Sequence, residues 1–305
     1  MSSKRYQLVI NNPSLFTAST SAQLALAQIQ ARTYRWKDQP FWPLKGIAFT
    51  PTDRTNRRKL IEALVADGNG FDQQMLGYQL LQCDGTKQLC GSPLCNFCRT
   101  HQQNSFEARM LKYFGNSNRQ NLFWLTILND LSYQPLTNIQ LQLERFRVSV
   151  REFFKRHYGK QVRALGAFEI DVKSPIDATD PAAALLTEYG WQANGQPPYM
   201  LHLHAVVELD GWPPQAFGDE LRQLYTKIKQ VTVKPLLTNK PLTENLSSMA
   251  RYCLKFRYQF ADNILRDKPS YGSRFDDNTL LSYAALIHQL KGERGVTGFN
   301  FRYNL

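Results

Sequence analysis

One run constrains this chain more than any other: Tyr199-Met200-Leu201-His202-Leu203-His204-Ala205-Val206-Val207-Glu208-Leu209. Successive side chains of a strand point to opposite faces, so His202 and His204 share one face. Leu201, Leu203, Ala205, Val207 and Leu209 line the other, which must therefore be covered. The run predicts a strand of a sheet with one core face. Two imidazoles a single pleat repeat apart either hold one metal ion between them or are bystanders on a half-buried strand. The remaining histidines, His101, His157 and His288, lie elsewhere in the chain.

About fifty residues further on, residues 247–260 read as an amphipathic helix within a helical stretch 243–262. Met249, Cys253, Phe256 and Phe260 repeat at helical spacing and predict a buried stripe. Tyr252, Lys255 and Gln259 then fall together on its flank, since residues three and four apart are helix neighbours. Tyr258 falls on a different face. A tyrosine and a lysine side by side can be a reactive pair or a boundary tyrosine with a snorkelling lysine. Upstream, residues 162–172 predict a strand on which Glu169 and Asp171 share a face opposite Phe168 and Ile170. These carboxylates are metal ligands or exposed strand acids. The connection from Lys173 to Pro198 predicts a long loop.

Four of the five cysteines, Cys83, Cys90, Cys95 and Cys98, lie close together, with His101 just beyond. The spacing fits a four-cysteine Zn2+ site, with His101 as a possible substitute ligand; disulfides and free thiols are the alternatives. No secretory signal is apparent, and a reducing cytosol disfavours disulfides. Cys253 reads as a small buried hydrophobe.

His202-Leu203-His204 resembles the histidine–hydrophobe–histidine motif of the HUH endonucleases, and Tyr252-Cys253-Leu254-Lys255 resembles their tyrosine–x–x–lysine motif. Phe123-Trp124-Leu125-Thr126-Ile127-Leu128 resembles the apolar strand with an internal threonine that forms their first motif. The segment from Leu89 to Arg99 resembles the cysteine-rich stretch ahead of it in many rolling-circle replication initiators of bacterial plasmids. The resemblance spans about residues 75 to 300. It implies a five-stranded palm related to the ferredoxin-like fold. It also implies a Mg2+ or Mn2+ ion held by His202, His204 and a carboxylate, Glu169 before Asp171. Tyr252 would be the single nucleophile, with Tyr258 second choice, and Lys255 would assist proton transfer or orient the phosphate. The implied reaction is nicking and joining of single-stranded DNA through a 5′-phosphotyrosine, to start rolling-circle replication. The implied partners are single-stranded DNA, an origin hairpin or duplex, and a host helicase and DNA polymerase, in the bacterial cytoplasm. A transposase of a single-strand mobile element shares this chemistry. A non-catalytic, zinc-containing nucleic-acid-binding regulator is the alternative of another class.

Composition points the same way without separating DNA from RNA or an anionic membrane. The 305 residues carry 37 Lys+Arg against 25 Asp+Glu, a net charge of +12. Residues 54–59 and 145–160 are basic clusters, the second on an expected helix with Phe146, Val150 and Phe153 or Phe154 inward. No apolar run approaches a membrane span. Tyr34, Trp36, Phe41 and Trp42 among Arg35, Lys37 and Lys45 are candidates to stack bases or to dock a linker. The expected organisation is a mostly helical or irregular region 1–75 (with a helix at 21–32), a cysteine module 76–110 and a catalytic domain 111–305. Within that domain, strands at 122–129, 162–172 and 199–209 and helices at 138–158, 217–231, 243–262 and 280–290 precede an extended 292–303. This order predicts an α+β domain with an antiparallel sheet and helices on one face.

Overall fold

The strands expected at 122–129, 162–172 and 199–209 do form, the first continuing to Ser132, and each is apolar on at least one face. β1 (Leu122–Ser132), β2 (Val162–Val172), β3 (Tyr199–Leu209), β4 (Val231–Pro235) and β7 (Asn300–Tyr303) make one antiparallel sheet in the order β4-β1-β3-β2-β7. β5 (Gln259–Asp262) and β6 (Ser270–Arg274) form a separate two-stranded ribbon. The helices among the described residues are α1 (Pro51–Val65), α2 (Phe71–Gln82), α3 (Asn96–Phe114), α4 (Pro135–His157), α5 (Pro181–Glu188), α6 (Pro214–Leu224), α7 (Leu242–Cys253) and α8 (Asp277–Lys291). The structure, a computed structural model, describes residues 51–66, 69–83, 90–133, 135–176, 178–262, 270–291 and 299–305. The expected helix at 21–32 and the aromatic, basic stretch after it lie outside them. No helix among the described residues is long and apolar enough to cross a membrane.

The described residues fall into two compact units. One comprises residues 51–101 with Asp276–His288, the other Gln102–Phe275 with Gln289–Leu305; the boundary falls inside α3. In the smaller unit, Arg57 is buried beneath α2, donating to the carbonyls of Leu80 and Cys83. The basic stretch at 54–59 is thus not a uniform surface cluster.

The larger unit carries the sheet. Helices pack on both of its faces, a correction to the expected one-sided arrangement. On one face, Phe146 of α4 meets Phe168, Phe154 meets Phe301, and Phe217 of α6 meets Phe123. Both Phe153 and Phe154 are buried. On the other face, Phe106, Met110 and Phe114 of α3 and Leu246, Ala250 and Cys253 of α7 cluster with Leu165, Ala167 and Val206. The strands thus bury residues of both alternations, which is why only the unusual polar positions on the second face stand out.

Three element boundaries differ from expectation. The segment 173–198 contains α5, started by Pro181 at its first turn and by Asp180, whose carboxylate accepts from the Ala182 N–H at 2.7 Å. Helix α6 stops at Leu224, and Val231, expected in that helix, begins edge strand β4 opposite Ile127. Helix α7 stops at Cys253, although the apolar period continues through Phe256 and Phe260. The Gln103 side-chain amide of α3 donates to the carbonyls of Arg251 and Leu254, both at 3.2 Å, and so satisfies the helix end from outside. Phe256 then packs on Phe299, and Phe260, on strand β5, packs on Phe275. Cys253, Phe256 and Phe260 of the stripe are buried and Met249 half-buried, but only Met249 and Cys253 stand on the helix. Of the extended segment expected at 292–303, residues 292–298 lie outside the described residues, and Asn300–Tyr303 form β7.

Candidate functional site

Register brings the polar residues together. Glu169 lies opposite His202 across the β2–β3 ladder, and Thr126 lies opposite His204 across β1–β3. Directly opposed side chains share a face, so Thr126, Glu169, Asp171, His202 and His204 all project toward the α3–α7 side. One glycine permits the close β2–β3 approach: a Cβ on Gly166 would stand 2.1 Å from the His204 carbonyl oxygen and 2.6 Å from Ala205 Cα.

Glu169, His202 and His204 are all buried, and each offers a ligand atom within 4.8 Å of the others, an arrangement that can hold a metal ion. Glu169 Oε2 and the Nε2 atoms of both histidines lack a hydrogen bond of good geometry; their polar contacts, at 3.2–3.4 Å, are with one another and with Asp171 and Lys255. Buried polar atoms are ordinarily satisfied, so three such atoms converging on a point make a group that could hold a cation. The chemistry of the set fits: two neutral imidazole nitrogens and one carboxylate oxygen suit a divalent ion. Burial holds the His202 imidazole well below its ordinary pKa despite Asp171, which keeps it neutral and able to ligate.

The surroundings orient these atoms. His204 Nδ1 is hydrogen-bonded to Thr126 Oγ1 at 2.9 Å. Its ring stacks on Trp124, with centroids 5.6 Å apart and planes 12° from parallel. Cys253 Sγ donates to the His204 carbonyl at 3.5 Å, tying the end of α7 to β3. Asp171 Oδ2 stands 3.4 Å from His202 Nε2 and 3.3 Å from Lys173 Nζ. Burial alone would raise the Asp171 pKa, but its polar neighbours, with the ammonium charges of Lys173 and Lys255 among them, outweigh it and bring it below the ordinary carboxylate range.

The ring of Tyr252, one residue before the end of α7, meets His204 edge-on, with centroids 4.9 Å apart. Lys255 lies in the turn after α7, a correction to the expected helical position. Gln259, expected beside it, is on β5. The turn nonetheless returns Lys255 over the Tyr252 ring, Nζ 3.4 Å from the centroid and 3.4 Å from Glu169 Oε2. Burial raises the Tyr252 phenol pKa, and Glu169 and Asp171 raise it further. Burial lowers the Lys255 ammonium pKa, with Glu169 and Asp171 partly restoring it. Tyr258 is half-buried in the bend before β5, beyond the helix that carries Tyr252.

Sequence reasoning brought Glu169, His202, His204, Tyr252 and Lys255 to the site. It passed over Trp124, Lys173 and Asp171's contact with His202. Trp124 is two residues before Thr126, so strand alternation alone puts it on the histidine face; that signal was available.

The four cysteines of the smaller unit form a second group of ligand atoms able to hold a metal ion, made of sulfurs alone. Cys83 and Cys98 are 3.6 Å apart at Sγ, Cys90 and Cys98 3.6 Å, and Cys83 and Cys95 3.5 Å. All are free thiols. The Gly91 N–H donates to Cys98 Sγ at 3.2 Å. Hydrogen bonds from Cys83, Cys90 and Cys98, with the nearby Arg57 charge, hold the Cys95 thiol well below the ordinary range. Cys83 is lowered to about 7, chiefly through Cys90. Cys90 and Cys98 move the other way, raised chiefly by their hydrogen bonds with Cys83.

Comparison with protein families, with curated proteins and with solved structures returns no match for this chain.

Proposed function

We propose that this chain is a metal-dependent DNA strand-transfer enzyme of the HUH endonuclease class, with Tyr252 as nucleophile. The observation that carries the reading is the orphaned set of His202 Nε2, His204 Nε2 and Glu169 Oε2 with a tyrosine ring packed edge-on against it. The central place of β3 in the sheet, between β1 and β2, supports a palm of the ferredoxin-like kind.

His202, His204 and Glu169 would hold a Mg2+ or Mn2+ ion, which supplies Lewis-acid polarisation of the scissile phosphate. The chain's own residues account for the rest. Tyr252 Oη attacks phosphorus, the P–O3′ bond breaks, and the departing 3′ oxygen takes a proton. One phosphodiester bond forms as another is lost, so no nucleotide cofactor is consumed and the step reverses. A free tyrosine, with a pKa near 10, is a poor nucleophile at neutral pH. Here burial and two carboxylates make its proton harder still to remove. The charge of Arg257 offsets part of this, and Lys255, stacked on the ring, can relay the proton.

Zn2+ is the ion proposed for the cysteine cluster. Tetrahedral sulfurs at the usual Zn–S length of about 2.3 Å stand roughly 3.8 Å apart, close to the Sγ separations of 3.5–3.6 Å. Initiation of rolling-circle replication is the biological role proposed, on single-stranded DNA with an origin hairpin or duplex. A host helicase and polymerase would act in the bacterial cytoplasm.

The test is to incubate the protein with labelled single-stranded DNA from its replicon and Mn2+, beside Tyr252→Phe. A denaturation-resistant adduct that disappears in Tyr252→Phe is the expected result. Tight binding with no adduct on any oligonucleotide would overturn the enzymatic reading in favour of a non-catalytic regulator.

A further inference from the structure

Most cations of the larger unit that touch a carboxylate are neutralised by it, among them Arg163 by Glu208, Arg251 by Glu107 and Lys227 by Asp130. Four cations converge on one place without such a partner. Arg302 of β7 donates from Nη2 to the Tyr113 hydroxyl at 3.1 Å and lies over the same ring. Lys112 stands 5.8 Å from that ring's centroid. Arg151 of α4 donates to the Arg302 backbone carbonyl at 3.1 Å. Arg109, one turn before Tyr113 on α3, donates only to the Ser105 carbonyl of its own helix and lies over Phe106.

Every one of these partners is neutral. Glu107 and Glu152, the acids adjacent in sequence to this group, pair with Arg251 and Arg156 instead. The charges also oppose one another, for the guanidinium of Arg302 lowers the pKa of Arg109 beyond what burial does. Arg302, Arg151 and Lys112 are exposed, and Arg109 and Tyr113 half-buried. Because β7 is the edge strand, the ridge runs from α3 on one side of the sheet, over β7, to α4 on the other.

An uncompensated, exposed set of guanidiniums is stable only at the expense of mutual repulsion, which a bound polyanion relieves. Guanidinium forks match phosphate oxygens, and Tyr113 adds a flat aromatic surface among them. Among the described residues, the exposed large hydrophobic side chains Trp212, Leu224, Ile228 and Leu237 belong to other segments, while α4 carries Leu141 and, one turn before Arg151, Val148; the charged members of the ridge therefore favour a phosphate backbone, and a lipid surface is an outcome of the test. Arg302 lies opposite Leu165 on β2, four residues from Glu169 on the same face. That is roughly 13 Å along the strand, the span of a few nucleotides at about 3.4 Å each.

We propose that Arg109, Lys112, Arg151 and Arg302 form a second nucleic-acid contact surface around the β7 edge, holding phosphates of duplex DNA that flanks the strand in the site. The proposal rests on the nucleic-acid reading above but not on the tyrosine chemistry. The test is fluorescence anisotropy of a labelled random-sequence DNA duplex across a range of salt concentrations. Each phosphate contact contributes about 0.9 to the log–log salt slope. The R109Q/R302Q variant is expected to lose about 1.8 of that slope and to bind about tenfold more weakly, while R109K/R302K keeps the slope. A control that removes equal charge from ion-paired positions, R222Q/K240Q, is expected to keep it too. An unchanged slope in R109Q/R302Q, or an equal fall in the control, overturns the proposal. So does loss of binding to phosphatidylserine vesicles with duplex binding intact. Adduct formation on single-stranded DNA is read in parallel. Loss of slope without any adduct in the wild type leaves the ridge standing and removes the tyrosine chemistry. An adduct with an unchanged slope does the reverse.

Discussion

Replacing Thr126 by valine keeps the shape of the side chain and removes a single hydroxyl. That hydroxyl is bonded to His204 Nδ1 at 2.9 Å in a buried site. For Nε2 to ligate a cation it must carry a lone pair, so Nδ1 carries the proton and donates it to Thr126 Oγ1. In Thr126→Val the ring has two responses. If the proton stays, a buried N–H loses its acceptor, which costs about 1–3 kcal/mol. If it moves to Nε2, it faces Glu169 Oε2 at 3.2 Å and occupies the ligating lone pair. Either response weakens the cation site. The Trp124 stack holds the ring plane but not its tautomer. Loss of a hydrogen bond behind a metal-binding histidine typically lowers affinity 10–100-fold, or about 1.4–2.7 kcal/mol. Isothermal titration with Mn2+ reads this directly, and Thr126→Ser should recover most of it. Thr126→Val protein that binds Mn2+ as tightly as the wild type would show that His204 Nε2 is not a ligand oriented through Thr126.

Three further expectations follow from the same geometry. Gly166→Ala puts a Cβ 2.1 Å from the His204 carbonyl oxygen, so β2 and β3 must separate at the site; denaturant melts should show a loss of about 3 kcal/mol or more, and an unchanged midpoint would contradict the packing described. Lys255→Met removes a cation beside Glu169 and Tyr252, so Mn2+ should bind at least as tightly while adduct formation slows by about a hundredfold or more; weaker metal binding at an unchanged rate would assign Lys255 a purely structural role. Cys95→Ser removes one of four sulfurs, and should release any zinc that elemental analysis finds in the wild type and lower the first melting transition; full zinc retention would exclude Cys95 as a ligand.

Much of the site was legible because strand periodicity is short-range. His202, His204, Glu169 and Asp171 had to share faces within their own strands, since the backbone alternates whatever surrounds it. The antiparallel α+β class followed from the order of elements, and the cysteine group from spacing alone. What the chain could not announce was register and capping. That Glu169 falls opposite His202, and Thr126 opposite His204, depends on how β1, β2 and β3 slide past one another, which is decided by a ladder between distant segments. The same limit explains the end of α7. The apolar spacing of Cys253, Phe256 and Phe260 is helical, yet Gln103, about 150 residues earlier, takes the last carbonyls and turns the chain into β5. Lys255 therefore reaches Tyr252 from a turn and not along a helix. Local periodicity determined which residues could be buried or paired; contacts between segments far apart in sequence decided which of them met.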